Sequence, residues 1–126
     1  MVSVMPRYHV DIYTAPDGTQ PVVDYMRELA RNAPNQVTRI ISIIELLRDY
    51  GPDLREPYTK ALGGGLFELR TTGGHAHRIV YSVLEGPKFI LLHAFYKTKP
   101  RMPEELEKAR RRMVEYLGRL GRKKGS

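Results

Sequence analysis

Hydrophobic and polar positions change period several times along the 126 residues, and each change marks an element. From Tyr8 to Tyr13, the positions Tyr8, Val10 and Ile12 alternate with His9, Asp11 and Tyr13, the two-residue period of a half-buried strand. Pro16-Asp17-Gly18 turns the chain, and Thr19 followed by Pro21 predicts a helix start with Thr19 as its N-cap. Val22, Val23, Met26, Leu29 and Ala30 then recur at three- and four-residue spacing, the mark of an amphipathic helix. Pro34 interrupts it. A second helix carries Val37, Ile40, Ile41, Ile44 and Leu47 along one stripe, widened by Ile43 and Leu46, until Tyr50-Gly51-Pro52 ends it. Two helices joined this tightly form a hairpin, and its broad apolar face needs a sheet to cover.

Residues 51–65, rich in Pro, Gly and charge, predict a loop. Three strands follow: Leu66 to Thr71, closed by Gly73-Gly74; His75 to Leu84, closed by Glu85-Gly86-Pro87; and Lys88 to Tyr96. Their short Gly-containing connections imply antiparallel neighbours. Beyond Pro100 and Pro103, Glu104-Glu105 open a last helix with acid at its positive end. Leu106, Ala109, Met113, Tyr116, Leu117 and Leu120 form its stripe, while Gly118 and Gly121 weaken its end. The expectation is one α+β domain over residues 1–126 in the order β-α-α-β-β-β-α, flexible at 1–6 and 122–126.

Composition narrows the classes. With no cysteine, disulfide scaffolds, thiolate zinc sites and cysteine nucleophiles drop out, which fits a reducing cytosol. The longest apolar runs are short, as in Phe89-Ile90-Leu91-Leu92, so neither a membrane helix nor a signal peptide is expected. The formal charge is +7, and its location matters more than its size. Residues 97–126 hold eleven of the 21 Lys and Arg but only four of the 14 Asp and Glu, so the whole excess lies there. Such asymmetry points toward a polyanionic partner, against the plainer reading of a solvated basic helix.

Most single motifs carry little. Gly63-Gly64-Gly65 lacks the Lys-Ser or Lys-Thr of a phosphate loop and precedes a strand, which makes it a turn. His75 and His77 share a side of a strand, but no further metal ligands stand at a telling spacing. No serine sits in a nucleophile elbow, and nothing singles out Glu68 and Glu85 as a glycosidase pair. The remaining constellation is basic. Glu68 and Arg70 share a face of one strand, Arg78 lies in the next, and the third ends His93-Ala94-Phe95-Tyr96-Lys97-Thr98-Lys99-Pro100-Arg101. Aromatic rings interleaved with cations suit RNA, the rings stacking on unpaired bases and the cations holding phosphates. Arg70 or Arg78 paired with Glu68 across the strands is the structural alternative, and a paired Arg can still face a ligand.

The run Leu62-Gly63-Gly64-Gly65-Leu66-Phe67-Glu68-Leu69-Arg70, then His77-Arg78-Ile79-Val80-Tyr81, then Ile90-Leu91-Leu92-His93-Ala94-Phe95-Tyr96-Lys97, resembles the phage-derived, HigB-like branch of the RelE/ParE toxin superfamily. Pro103, Glu104 and Glu107-Lys108-Ala109-Arg110 resemble that branch's C-terminal helix, and the likeness spans residues 8–117. It implies a RelE-like fold, a mainly antiparallel four-stranded sheet packed against a helical hairpin and a C-terminal helix. It implies a cytoplasmic type II toxin, a metal-independent endoribonuclease without cofactor that cleaves mRNA on the ribosome. Its partners would be mRNA, the ribosome and a cognate antitoxin of helix-turn-helix type, with no membrane.

Carried over by position, Arg70, Arg78 and Lys97 would serve catalysis and Phe95 would bind RNA. Thr98 breaks the paired-lysine motif that often follows the aromatic, and a catalytic tyrosine would be Tyr96 or Tyr81. With Tyr96 in the catalytic set, His75, His77, Lys99 and Arg101 join Phe95 as RNA-binding candidates. Cleavage requires removal of the 2′-hydroxyl proton, stabilisation of a dianionic phosphorane and protonation of the 5′-oxygen. Two arginines suit the charge, and Lys97 or a histidine of the 75/77 pair suits the proton transfers. A ParE-like topoisomerase inhibitor and a non-catalytic nucleic-acid or partner-binding module are the competing readings.

Overall fold

Proline starts both helices of the hairpin, because its fixed φ suits the first helical turn and its missing N–H is not needed there. In the structure, a computed structural model describing residues 8–85 and 88–124 with side chains through residue 122, these are α1 (Pro21–Ala30) and α2 (Pro34–Tyr50). Gln20, not Thr19, precedes α1, and it caps no helix N–H with its side chain. Thr19 is taken by the preceding turn, where its amide and hydroxyl both donate to Asp17 Oδ1 at 3.0 and 2.8 Å. At the far end of α2, Gly51 (φ +53°, ψ −124°) donates to the Leu47 carbonyl. A Cβ there would lie 2.5 Å from the Tyr8 ring, so only glycine fits.

The strands are β1 (His9–Ile12), β2 (Thr59–Gly63), β3 (Leu66–Arg70), β4 (His77–Leu84) and β5 (Lys88–Tyr96). They form one sheet in the order β1-β5-β4-β3-β2, antiparallel except for β1 beside β5. The α+β architecture is as expected, with one strand more than the four foreseen. β2 lies inside the segment read as a loop, after a 3₁₀ turn at Gly51–Asp53. Its exposed Lys60, Ala61 and Gly63 give it no apolar run, and a bulge falls between Ala61 and Gly63. A charged, bulged strand is what a sheet edge tolerates.

Helices cover both faces. Val22, Ile40, Ile43 and Leu47 of α1 and α2 meet Leu69, Ile79, Tyr81, Phe89 and Leu91 on one side. On the other, α3 (Pro103–Lys124) brings Leu106, Ala109, Met113 and Tyr116 onto Leu66, Val80, Ile90 and Leu92. This explains the unbroken Phe89–Leu92 run, each residue at most 1% exposed and each contributing about 1.5–3 kcal/mol through burial. The helix α3 continues past Gly118 and Gly121 to Lys124, beyond the expected weakening. Leu117, assigned to its buried stripe, is instead 46% exposed. The predicted lead over 1–6, most of the Glu85-Gly86-Pro87 turn and the final residues 125–126 lie outside the described residues.

Candidate functional site

Register places the charged residues of β3 and β4 together. Arg70 opposes Arg78, which opposes Phe95, making one row across β3, β4 and β5. The next row runs Lys60, Glu68, Val80, His93 across β2 to β5. Both rows face the side that α3 covers. Two arginines directly opposite on one sheet face repel. Glu68, 6% exposed, resolves this: its Oε1 accepts from Arg70 Nε at 3.1 Å and lies 3.4 Å from Arg78 Nε. Both structural pairings foreseen for Glu68 therefore form, leaving the triad one positive charge in excess.

The Arg78 side chain is only 14% exposed, and its Nη1 donates to the His77 carbonyl at 3.1 Å. Burial pulls its guanidinium below the usual value, while Glu68 opposes that shift. Its Nε has no hydrogen-bond partner of good geometry, although Glu68 is near. Through Glu68 the triad adjoins a cleft of about 400 Å³ walled by Lys60, Glu68, Phe95, Lys97, Arg101 and Leu106, whose lining includes neither Arg70 nor Arg78. Lys97 is fixed at its edge because its backbone N–H donates to the Ala76 carbonyl at 2.8 Å, extending the pairing past β5. Lys99 is exposed on the loop into α3. The arrangement, a cationic rim over an apolar floor, suits a ligand that carries an anionic group beside an apolar or aromatic one.

The structure divides the sequence-derived candidates. Phe95, Lys97 and Arg101 wall the cleft, and Arg70 and Arg78 share a cross-strand row with Phe95 without lining it. Tyr96 and His77, paired across β4 and β5, face the α1–α2 side instead. His77 is 2% exposed, buried by that packing rather than offered to a ligand. Its Nε2 is 2.7 Å from Gln36 Oε1 and its Nδ1 2.7 Å from the Tyr25 hydroxyl. Gln36 Oε1 can only accept, so Nε2 carries the proton and Nδ1 accepts from Tyr25. Desolvation, then the charges of His75 and Arg78, lowers the His77 pKa and keeps it neutral. The Tyr96 ring stands edge-on to His77 at 5.1 Å and is 42% exposed, and His75 lies 6.3 Å from His77.

His93 is a residue that sequence reasoning passed over. A bulge in the β4–β5 pairing, opposite Val80 and Tyr81, turns Leu92 and His93 to the same face. Arg112 Nη1 donates to His93 Nδ1 at 2.7 Å, and Nε2 lies 3.4 Å from Glu105 Oε2. The His93 ring stacks on Phe95 at 5.7 Å, so α3 steadies the floor of the cleft. Lys60 was also missed, since only the unforeseen β2 sets it opposite Glu68.

A family model described as phage derived protein Gp49-like (DUF891) matches residues 24–114. Among curated proteins none matches the chain. The matched span runs from α1 to the middle of α3 and includes Arg70, Arg78, Phe95, Lys97 and Arg101. This chain belongs to the Gp49-like family of phage derived proteins.

Proposed function

We propose that this protein is the toxin of a type II toxin–antitoxin system, an endoribonuclease that cleaves mRNA during translation and is neutralised by a cognate antitoxin. One observation carries the reading: two cross-strand arginines held by a single buried carboxylate beside a cationic cleft with an aromatic floor. Membership of a phage-derived family and the α+β fold expected of RelE-like toxins support it.

In this mechanism Arg70 and Arg78 hold the scissile phosphate through the guanidinium edges that Glu68 leaves open. The 2′-hydroxyl gives its proton to solvent water and its oxygen attacks phosphorus; the phosphorus–5′-oxygen bond breaks to leave a 2′,3′-cyclic phosphate, and the leaving oxygen takes a proton. Lys97 donates that proton, and the arginines stabilise the charge gathering on the equatorial oxygens. Glu68 orients both arginines before substrate arrives, so little reorganisation accompanies the reaction. Phe95 floors the cleft.

Induction in cells, with and without the antitoxin, tests this. Wild type should arrest growth and create new internal mRNA ends, both relieved by the antitoxin. Arg78→Ala, shown folded by circular dichroism, should do neither. Undiminished arrest by that variant sinks the assignment, and arrest with intact mRNA and DNA damage would instead indicate a topoisomerase target.

A further inference from the structure

A second groove, of about 310 Å³, opens on the opposite face of the sheet between α1, α2 and the end of β5. Tyr25, Glu28, Leu29, Asn32, Gln36, His77 and Tyr96 form it. From this groove we infer a subsite for one unpaired nucleobase of the RNA whose phosphate is held at the arginine clamp beside the cationic cleft; the inference rests on the reading of RNA as ligand.

The chemistry differs from that of the cleft. No Lys or Arg lines the groove among the described residues, and Glu28 makes it unfriendly to phosphate. What it offers is neutral. The His77 tautomer fixes the pattern: because Nε2–H is spent on Gln36 Oε1 and Nδ1 takes the Tyr25 proton, the Gln36 amide NH2 remains a donor and the Tyr25 oxygen an acceptor. The Asn32 carboxamide has no partner among the described residues, and amides of this kind read base edges. The exposed Tyr96 ring supplies a stacking face. Phe95 and Tyr96 are consecutive, one facing the cleft and the other the groove. A single strand rounding the end of β5 therefore reaches both.

The test uses the full chain and a 2′-O-methyl oligoribonucleotide, which lacks the hydroxyl needed for cleavage, carrying one abasic site moved along its length. Anisotropy titrations should show one position where losing the base weakens binding on the order of tenfold. Tyr96→Ala should erase that penalty, Tyr96→Phe should restore it, and Asn32→Ala should flatten the preference for base identity there. An abasic profile that is flat, or unchanged in Tyr96→Ala, overturns the subsite even if binding still depends on Arg78. Failure of the unmodified oligonucleotide to bind in an Arg78-dependent way overturns the RNA reading itself, and the subsite with it.

Discussion

Glu68→Gln is the sharpest probe of the arginine clamp. The change keeps shape and removes one charge, leaving Arg70 and Arg78 opposed on one sheet face with no anion between them. At 3.1 and 3.4 Å, the two attractions are each about 5 kcal/mol at an effective dielectric constant near 20. Desolvation of all three groups offsets most of that, and removing one partner from a buried pair costs about 3–5 kcal/mol in net terms. Arg70, with 23% of its side chain exposed, can swing toward water, so a loss of about 2–3 kcal/mol is expected. For a chain of this size that lowers Tm by roughly 6–15 °C. A thermal melt measures it. Adding Arg78→Met to Glu68→Gln should cost less than Arg78→Met alone, because the double variant has no uncompensated charge pair. Inorganic phosphate should raise Tm more in Glu68→Gln than in the wild type, since the freed arginines seek an anion. A Glu68→Gln Tm within about 1 °C of wild type, with additive double-mutant energies, refutes the clamp.

Three further outcomes follow from the geometry. The His77 and His93 pKa values are both lowered by burial, so the unfolded chain binds protons more readily below its own histidine value of about 6.5. Their stabilisation is complete above that pH and is lost as pH falls toward the folded values, at up to about 1.4 kcal/mol per group per pH unit; a Tm that stays flat from pH 7.5 to 5.5 contradicts this. Gly51→Ala forces a Cβ against the Tyr8 ring at positive φ and should destabilise by about 1–3 kcal/mol, read from a denaturant midpoint, whereas Gly18→Ala, with nothing within 4 Å of its Cβ, carries only the conformational part. Arg101→Ala should make the salt dependence of single-stranded RNA binding shallower by about 0.7 in log–log slope while leaving Tm unchanged. Arg119→Met should do the reverse, because Arg119 is spent on the Thr14 carbonyl and Glu115.

Elements with a strong period were legible because burial imposed the period. The hairpin helices and β3 to β5 each fill a face of the core, and their apolar residues recur accordingly. β2 was hidden because an edge strand answers to one neighbour and to solvent, and Thr59–Gly63 has no alternation to betray it. Thr19 looked like a cap by type, but Asp17, two residues away, competes for its amide and hydroxyl. Alternation did separate Phe95 from Tyr96, placing them on opposite faces, yet sequence alone grouped both with the arginines. The β4–β5 bulge has no sequence signature, so the arrival of His93 beside Phe95 is visible only in the folded chain.

The charge excess of residues 97–126 shows how a count misleads about a site. Arg112 reaches back to the Leu92 carbonyl and His93, and Arg119 to Thr14, while Glu115 takes the Tyr13 hydroxyl at 2.6 Å. These groups fasten α3 to the sheet, and α3 in turn walls the cleft with Leu106. Part of the basic tail is thus structural, and the part that meets the cleft is Lys97 and Arg101 at its start. The residues proposed to meet the phosphate first, Arg70 and Arg78, lie outside that tail in a stretch whose charges balance, and Glu68 neutralises one of them. What distinguishes the site is therefore arrangement: two guanidiniums made to converge by one buried carboxylate, which itself lines the neighbouring cleft. The tail's outward cations can speed the approach of a polyanion, but they cannot position it, because exposed side chains on a helix surface hold no fixed geometry. Positioning requires the clamp, which is why its disruption is the measurement that separates this reading from that of a merely basic protein.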